Sequence, residues 1–161
     1  MTKCLNEKLG LTLLEVIVAI AIILLVLGLM IFSLANFRRT QLLSGTTEQL
    51  IGLLNEARSR TISAVDGAQH GVHLTSNRAQ LFQGAAYSGG TIKQTLDLDS
   101  ALTLTWFLGG SAGVSDIIFQ KLTGKTGQYG TTTLSLTFDS SKNRVISIES
   151  TGLVQLKSQA N

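Results

Sequence analysis

KLGLTLLEVIVAIAIILLVLGLMIFSLANFRR, residues 8–39, decides how the rest of the chain is read. A polar leader carrying Lys3 and Lys8 ends at Gly10. From Val16 to Phe32 no side chain is charged or strongly polar, and only Asn36 interrupts the uncharged stretch before Arg38. About 20 apolar residues span the hydrocarbon core of a bilayer as a helix, so the run has the length of a membrane helix. One acid, Glu15, lies inside its near end. A secretory signal peptide has an apolar region of about 7–15 residues followed by a small-residue cleavage site. Here the run is longer, and the small residue with a processing look, Gly10, precedes it. A cut there would leave the apolar helix as the N-terminus of the mature protein. An ordinary signal anchor containing a glutamate gives the same hydropathy profile.

The order Gly10-Leu11-Thr12-Leu13-Leu14-Glu15, ahead of a long apolar helix, resembles the prepilin signal of type IV pilins and type II secretion pseudopilins. Leu11 stands where phenylalanine is commonest in that family. The resemblance implies cleavage between Gly10 and Leu11 by a prepilin peptidase and N-methylation of Leu11. It also implies roles in assembly for Thr12, Glu15 and Gly28. The expected organisation is a leader at 1–10, a transmembrane helix at 11–35, an extracytoplasmic continuation of that helix at 36–64, and a β-rich domain at 65–161. Lys3 and Lys8 before the span nearly balance Arg38 and Arg39 after it. Orientation therefore rests on the resemblance, which places the leader inside and the rest outside.

The 161 residues carry a formal charge of +3 and no proline, enough for one small domain and one long helix. So small a basic excess does not itself indicate nucleic-acid binding. Cys4, in the leader, is the only cysteine, so a processed chain would hold no disulfide. Lipid attachment at Cys4 is disfavoured because no apolar segment precedes it.

Helical periodicity continues past the apolar run. Leu43, Leu50, Leu53, Leu54, Ala57 and Thr61 recur at three- and four-residue spacings and mark one buried face. The first clear stop is Asp66-Gly67. A helix from about Leu11 to Ala64 would be roughly 80 Å long at 1.5 Å per residue. Gly28, Gly45 and Gly52 each cost it about 1 kcal/mol relative to alanine where exposed. With no proline present, Gly28 is the expected weak point of the apolar half.

Beyond Asp66 short alternating runs separated by turn residues read as strands. Gly71–Thr75 and Ala79–Phe82 form a hairpin across Ser76-Asn77-Arg78. Thr91–Leu98, then Leu102, Leu104 and Trp106 on one face, then Ile117-Ile118-Phe119 follow. Leu134, Leu136 and Phe138 are expected to face inward with Ile146 and Ile148, across a turn at Ser140–Asn143, and Val154 and Leu156 end the pattern. Seven or eight mostly antiparallel strands with one face on the helix make an α+β fold. LIGLLNEARSRT at 50–61 and the C-terminal run with Gly152 are similar in layout to minor pilins and H-type pseudopilins.

No catalytic constellation emerges, so no enzyme activity is expected. His70 and His73, three apart in a strand, point to opposite faces and read as exposed. The glycine-rich stretches at 109–113 and 124–130 lack the helix start and Lys-Ser/Thr pattern of a phosphate loop. Asp97, Asp99 and Asp139 are too dispersed for calcium, and no metal or cofactor is expected. Arg58, Arg60, Arg78, Lys121, Lys125, Lys142, Arg144 and Lys157 are scattered. In DNA-binding relatives arginines follow the last glycine, whereas Leu153, Val154 and Gln155 follow Gly152.

The expected function is therefore that of a minor pilin or pseudopilin, a structural subunit in the inner membrane that passes into a filament in the periplasm or outside the cell. Its partners would be the peptidase, other subunits, the inner-membrane assembly platform and membrane lipid. The alternative is a membrane-tethered receptor or adaptor for DNA or a secreted protein.

Overall fold

The computed structural model describes residues 12–109 and 113–157, without the side chains of 30–36. The chain divides into two compact units, Met1–Arg38 and Arg39–Asn161. Helix α1 runs Leu13–Ile62 and supplies the described part of the first unit and the opening of the second.

In the second unit the helical stripe does what its spacing predicts. Leu43, Leu50, Leu53, Leu54, Ala57 and Thr61 are all buried, joined by Thr46 and Thr47. Threonine is tolerated there because its hydroxyl can bond back one turn: Thr47 Oγ1 donates to Leu43 O at 2.6 Å. The helix ends one turn short of Asp66-Gly67. Ala64, Asp66 and Gly67 adopt positive φ around a 3-10 turn at Val65–Gly67, which reverses the chain into the first strand.

Eight strands follow: β1 His70–Thr75, β2 Arg78–Gln83, β3 Thr91–Asp97, β4 Leu102–Leu108, β5 Asp116–Ile118, β6 Gly130–Leu136, β7 Asp139–Ile148 and β8 Val154–Lys157. They pair antiparallel in two four-stranded sheets, ordered β3-β2-β1-β5 and β4-β6-β7-β8. The architecture is α+β, with α1 against antiparallel sheets. The expected hairpin is β1–β2, closing with Thr75 opposite Arg78. Period-2 alternation turns Val72, Leu74 and Leu81 of the first sheet and Leu104, Leu134, Ile146 and Ile148 of the second into one core with the helix leucines.

Two strand expectations are corrected. Phe138 is 85 % exposed, because the reversal between β6 and β7 is made by Thr137-Phe138 and Leu136 pairs with Asp139. Ser140–Asn143 is not that reversal. It is an irregularity within β7, where the register jumps between Ser135 and Leu136. The turn chemistry is nonetheless present: the Asp139 carboxylate accepts from Ser141 N and Oγ, and Asn143 Nδ2 donates to Ser140 O.

Candidate assembly surface

In the first unit Thr12 and Glu15 sit at the start of α1. Glu15 N donates to Thr12 O at 3.1 Å and to Thr12 Oγ1 at 3.3 Å, so Thr12 caps the helix. Threonine three residues before glutamate is the capping-box spacing, a signal legible in the sequence that supplies a local reason for Glu15. An acid in the first turn also meets the positive end of the helix dipole. Glu15 is exposed, as is every residue from Thr12 to Leu29.

That exposure is the outstanding property of the unit. Each leucine, isoleucine and valine from Leu13 to Leu29 is at least 43 % exposed, on every side of the helix. There are thirteen, and burying one is worth about 1.5–3 kcal/mol, so covering them all is worth on the order of 20–40 kcal/mol. A helix apolar all round needs a protein core or a bilayer around it. Among the described residues no helix is long and apolar enough to cross a membrane. The described apolar side chains stop at Leu29, and those at 30–36 lie outside them. The cleavage and methylation positions, Gly10 and Leu11, also lie outside the described residues. At Gly28 the helix is unbroken, and a Cβ there would meet nothing within 4 Å.

In the second unit the far end of α1 is clamped by two glycine turns. Arg58 Nε donates to Gly124 O at 3.4 Å. Gly124 (φ +64) lies so close to Ile62 that an added Cβ would come within 2.6 Å of its Cδ1. Gly152 (φ +80) backs onto the Gly124 carbonyl, and Thr126 N donates to Ser150 O. The C-terminal turn is thereby fastened to the helix end.

No family model and no curated protein matches the chain by sequence. Among solved structures, the type IV minor pilin FimU of Pseudomonas aeruginosa is similar at a TM-score of 0.57 and 20 % identity, over 72 % of this chain and 93 % of that one. The minor pseudopilin EpsH from the type II secretion system of Vibrio cholerae is similar at a TM-score of 0.58 and 16 % identity, over 74 % of this chain and 98 % of that one. The fold is pilin-like.

On this pilin-like scaffold the other candidates resolve as structure. His70 and His73 do lie on opposite faces of β1, but neither is exposed. His70 is fully buried, with its main chain tied to Thr61: His70 N donates to Thr61 Oγ1 at 2.9 Å. Neither ring nitrogen has a hydrogen-bond partner. Burial, then the Arg60 charge, hold the imidazole below its ordinary value, so it sits neutral. The expectation fails because His70 enters the sheet directly under the helix end, which strand alternation alone does not reveal. His73 is half-buried, hydrogen-bonded through Nδ1 to Asp116 Oδ1 at 2.5 Å and stacked on Tyr87 at 3.8 Å.

Asp97 binds Arg78 at 2.6 Å, and Asp99 accepts from Ala101 N at 2.8 Å. Among the described residues no cluster of histidine, cysteine and acids is arranged to hold a metal. Five basic residues of the pilin-like domain are engaged one by one. Arg60 pairs with Glu56, Arg78 with Asp97 and Lys93 with Asp66, while Arg58 and Lys121 reach the carbonyls of Gly124 and Gly67.

Proposed function

We propose that this chain is a minor pilin or pseudopilin, a non-enzymatic subunit that waits in the inner membrane and assembles into a filament through its N-terminal helix. The observation that carries the reading is the all-round apolar surface of Leu13–Leu29 leading into a domain of pilin-like fold. In the membrane, lipid covers that surface over residues 11–35; in a filament, other subunits' helices do. Residues 1–10 are the leader, a prepilin peptidase cuts after Gly10, and the new amine of Leu11 is methylated and stays cationic.

Glu15 then has a partner. A charged acid at the centre of a membrane helix costs roughly 2.5–3.5 kcal/mol. Near the helix end Glu15 escapes much of that by reaching the headgroups, an escape lost among packed helices. Along its own helix the Leu11 amine lies about 6 Å away, four residues at 1.5 Å each. A neighbour shifted along the axis brings its amine nearer and so sets the register of entry. Residues 36–62 carry the helix on to the sheet domain, and the assembly platform drives entry.

Glu15→Val tests this in cells that have the peptidase. The variant is expected to insert and be processed, with a mature mass matching methylated Leu11, yet to be missing from sheared filaments. Gly10→Val is expected to remain uncut. Wild-type incorporation of Glu15→Val reduces Glu15 to the capping role. An unprocessed wild-type chain overturns the reading as a whole.

A further inference from the structure

One exposed aromatic has a position that the core does not explain. Phe138, 85 % exposed, forms the tip of the two-residue turn between β6 and β7. Tight hairpin turns favour glycine, asparagine and aspartate, so a bare phenyl ring there serves nothing inside the domain. The turn is held firmly: Thr137 N donates to Ala101 O at 2.8 Å and Thr137 Oγ1 to Ser100 O at 3.2 Å.

Its place within the second unit is set by β7. Thr40 and Leu43 of α1 line a cleft with Ser141, Lys142, Asn143 and Arg144, and Arg144 Nη2 donates to Ser44 Oγ at 3.5 Å. At the other end of β7, Gly152 packs beside Arg58. The strand therefore runs alongside α1 from its Arg39 end to its Ile62 end. The hairpin tip lies at the end where the chain arrives from the apolar run. Arg39 is exposed there, with Lys142 about half exposed. Three acids share this end, Asp97, Asp99 and Asp139, the first paired with Arg78. Asp99 is engaged by Ala101 N, and Asp139 by Ser141 and, at 4.0 Å, by Lys142. Cations thus exceed acids around the ring.

We infer that the Phe138 turn is a second, peripheral contact with phospholipid. The ring enters the boundary between headgroups and acyl chains while Arg39, Lys142 and Arg144 face anionic phosphates. An apolar side chain framed by long basic ones is suited to that boundary, and cations near an anionic surface are attracted to it within a Debye length. The inference rests on the proposal that the apolar run crosses the bilayer. It adds a lipid contact made by the second unit itself.

The test uses the full chain with Cys4→Ser, spin-labelled at Ser140→Cys, in phosphatidylcholine vesicles with and without phosphatidylglycerol. Accessibility to oxygen and to a water-soluble nickel chelate reports depth. With phosphatidylglycerol the label is expected at headgroup depth, its collisions with nickel reduced severalfold, and Phe138→Ser is expected to return it to water. Phe138 is not in the core, so Trp106 fluorescence should be unchanged in that variant. A label at Leu122→Cys, at the Ile62 end of α1, is expected to stay in water throughout. A Ser140 label in water, or one insensitive to Phe138→Ser, overturns the inference. Protection in detergent that grows with protein concentration also overturns it, because a second copy is then the cover. A label at Ile23→Cys separates the two proposals: hydrocarbon depth there keeps the anchor even when the Phe138 contact fails.

Discussion

Gly152→Ala should be among the most damaging single-methyl additions to this chain, because two costs coincide. Gly152 has φ +80, and a residue with a Cβ loses roughly 1–2 kcal/mol in a left-handed conformation. The added methyl would also overlap the Gly124 carbonyl and lie 2.9 Å from Arg58 Nε. Backbone cannot swing aside as a side-chain end does, so the 120–127 loop must shift, at about 1–3 kcal/mol for an overpacked contact. The shift breaks the Arg58–Gly124 hydrogen bond, which at 3.4 Å is worth about 0.5 kcal/mol, the low end for a net hydrogen bond. The sum is about 2.5–5.5 kcal/mol, a large fraction of the roughly 5–15 kcal/mol by which domains are stable. Gly67→Ala is the control: φ is +62 but nothing lies within 4 Å of the new methyl, so about 1–2 kcal/mol is expected from conformation alone. Urea titration of the full chain in detergent micelles, followed by Trp106 fluorescence, measures both. Equal losses for the two variants would refute the role assigned to the Gly124–Gly152 contact.

Leu54→Ala opens a cavity in the centre of the helix stripe, where the side chain is fully buried, and should cost about 2–5 kcal/mol in the same titration. The His70 imidazole titrates below its ordinary 6.5, so as pH falls the unfolded chain takes up its proton first. Its contribution is therefore intact above about 6.5 and declines below that, toward the lower folded value. Arg60, Asp66 and Lys93 are the charges around it, and His70→Leu should flatten the fall in urea midpoint between pH 7 and pH 5. Gly28→Ala should stiffen the apolar helix by about 1 kcal/mol. If filament packing unwinds the helix there, the variant should alter assembly more than membrane insertion, which sheared-filament and membrane fractions would separate.

Much of the fold was legible because the signals were local. A 3.6-residue stripe from Leu43 to Thr61 identified the buried helix face, and Ser76-Asn77 between alternating runs identified the β1–β2 hairpin. The division into two sheets was not legible, since pairing β1 with β5 and β4 with β6 depends on partners distant in sequence. Local polarity misled at β7: Ser140–Asn143 has turn chemistry, yet the reversal occurs at Thr137-Phe138, next to it. His70 was misplaced because its burial depends on where the helix stops. Of the candidate surface, the apolar run and the place of Glu15 at its start could be read directly, while the Thr12 cap lay unnoticed in a threonine–glutamate spacing.

The sharing of one core by α1 and both sheets has a mechanical consequence. A pull arriving through Arg39 acts along the axis of the very helix on which the domain is built. Leu43, Leu50, Leu53, Leu54 and Ala57 belong to one cluster with residues of both sheets, and β7 lies alongside the axis. Such a load would slide many contacts at once instead of peeling them one by one. The Arg58 clamp fastens the trailing end of the helix to the loops behind it. A load entering at Arg39 is thus shared across the width of the domain.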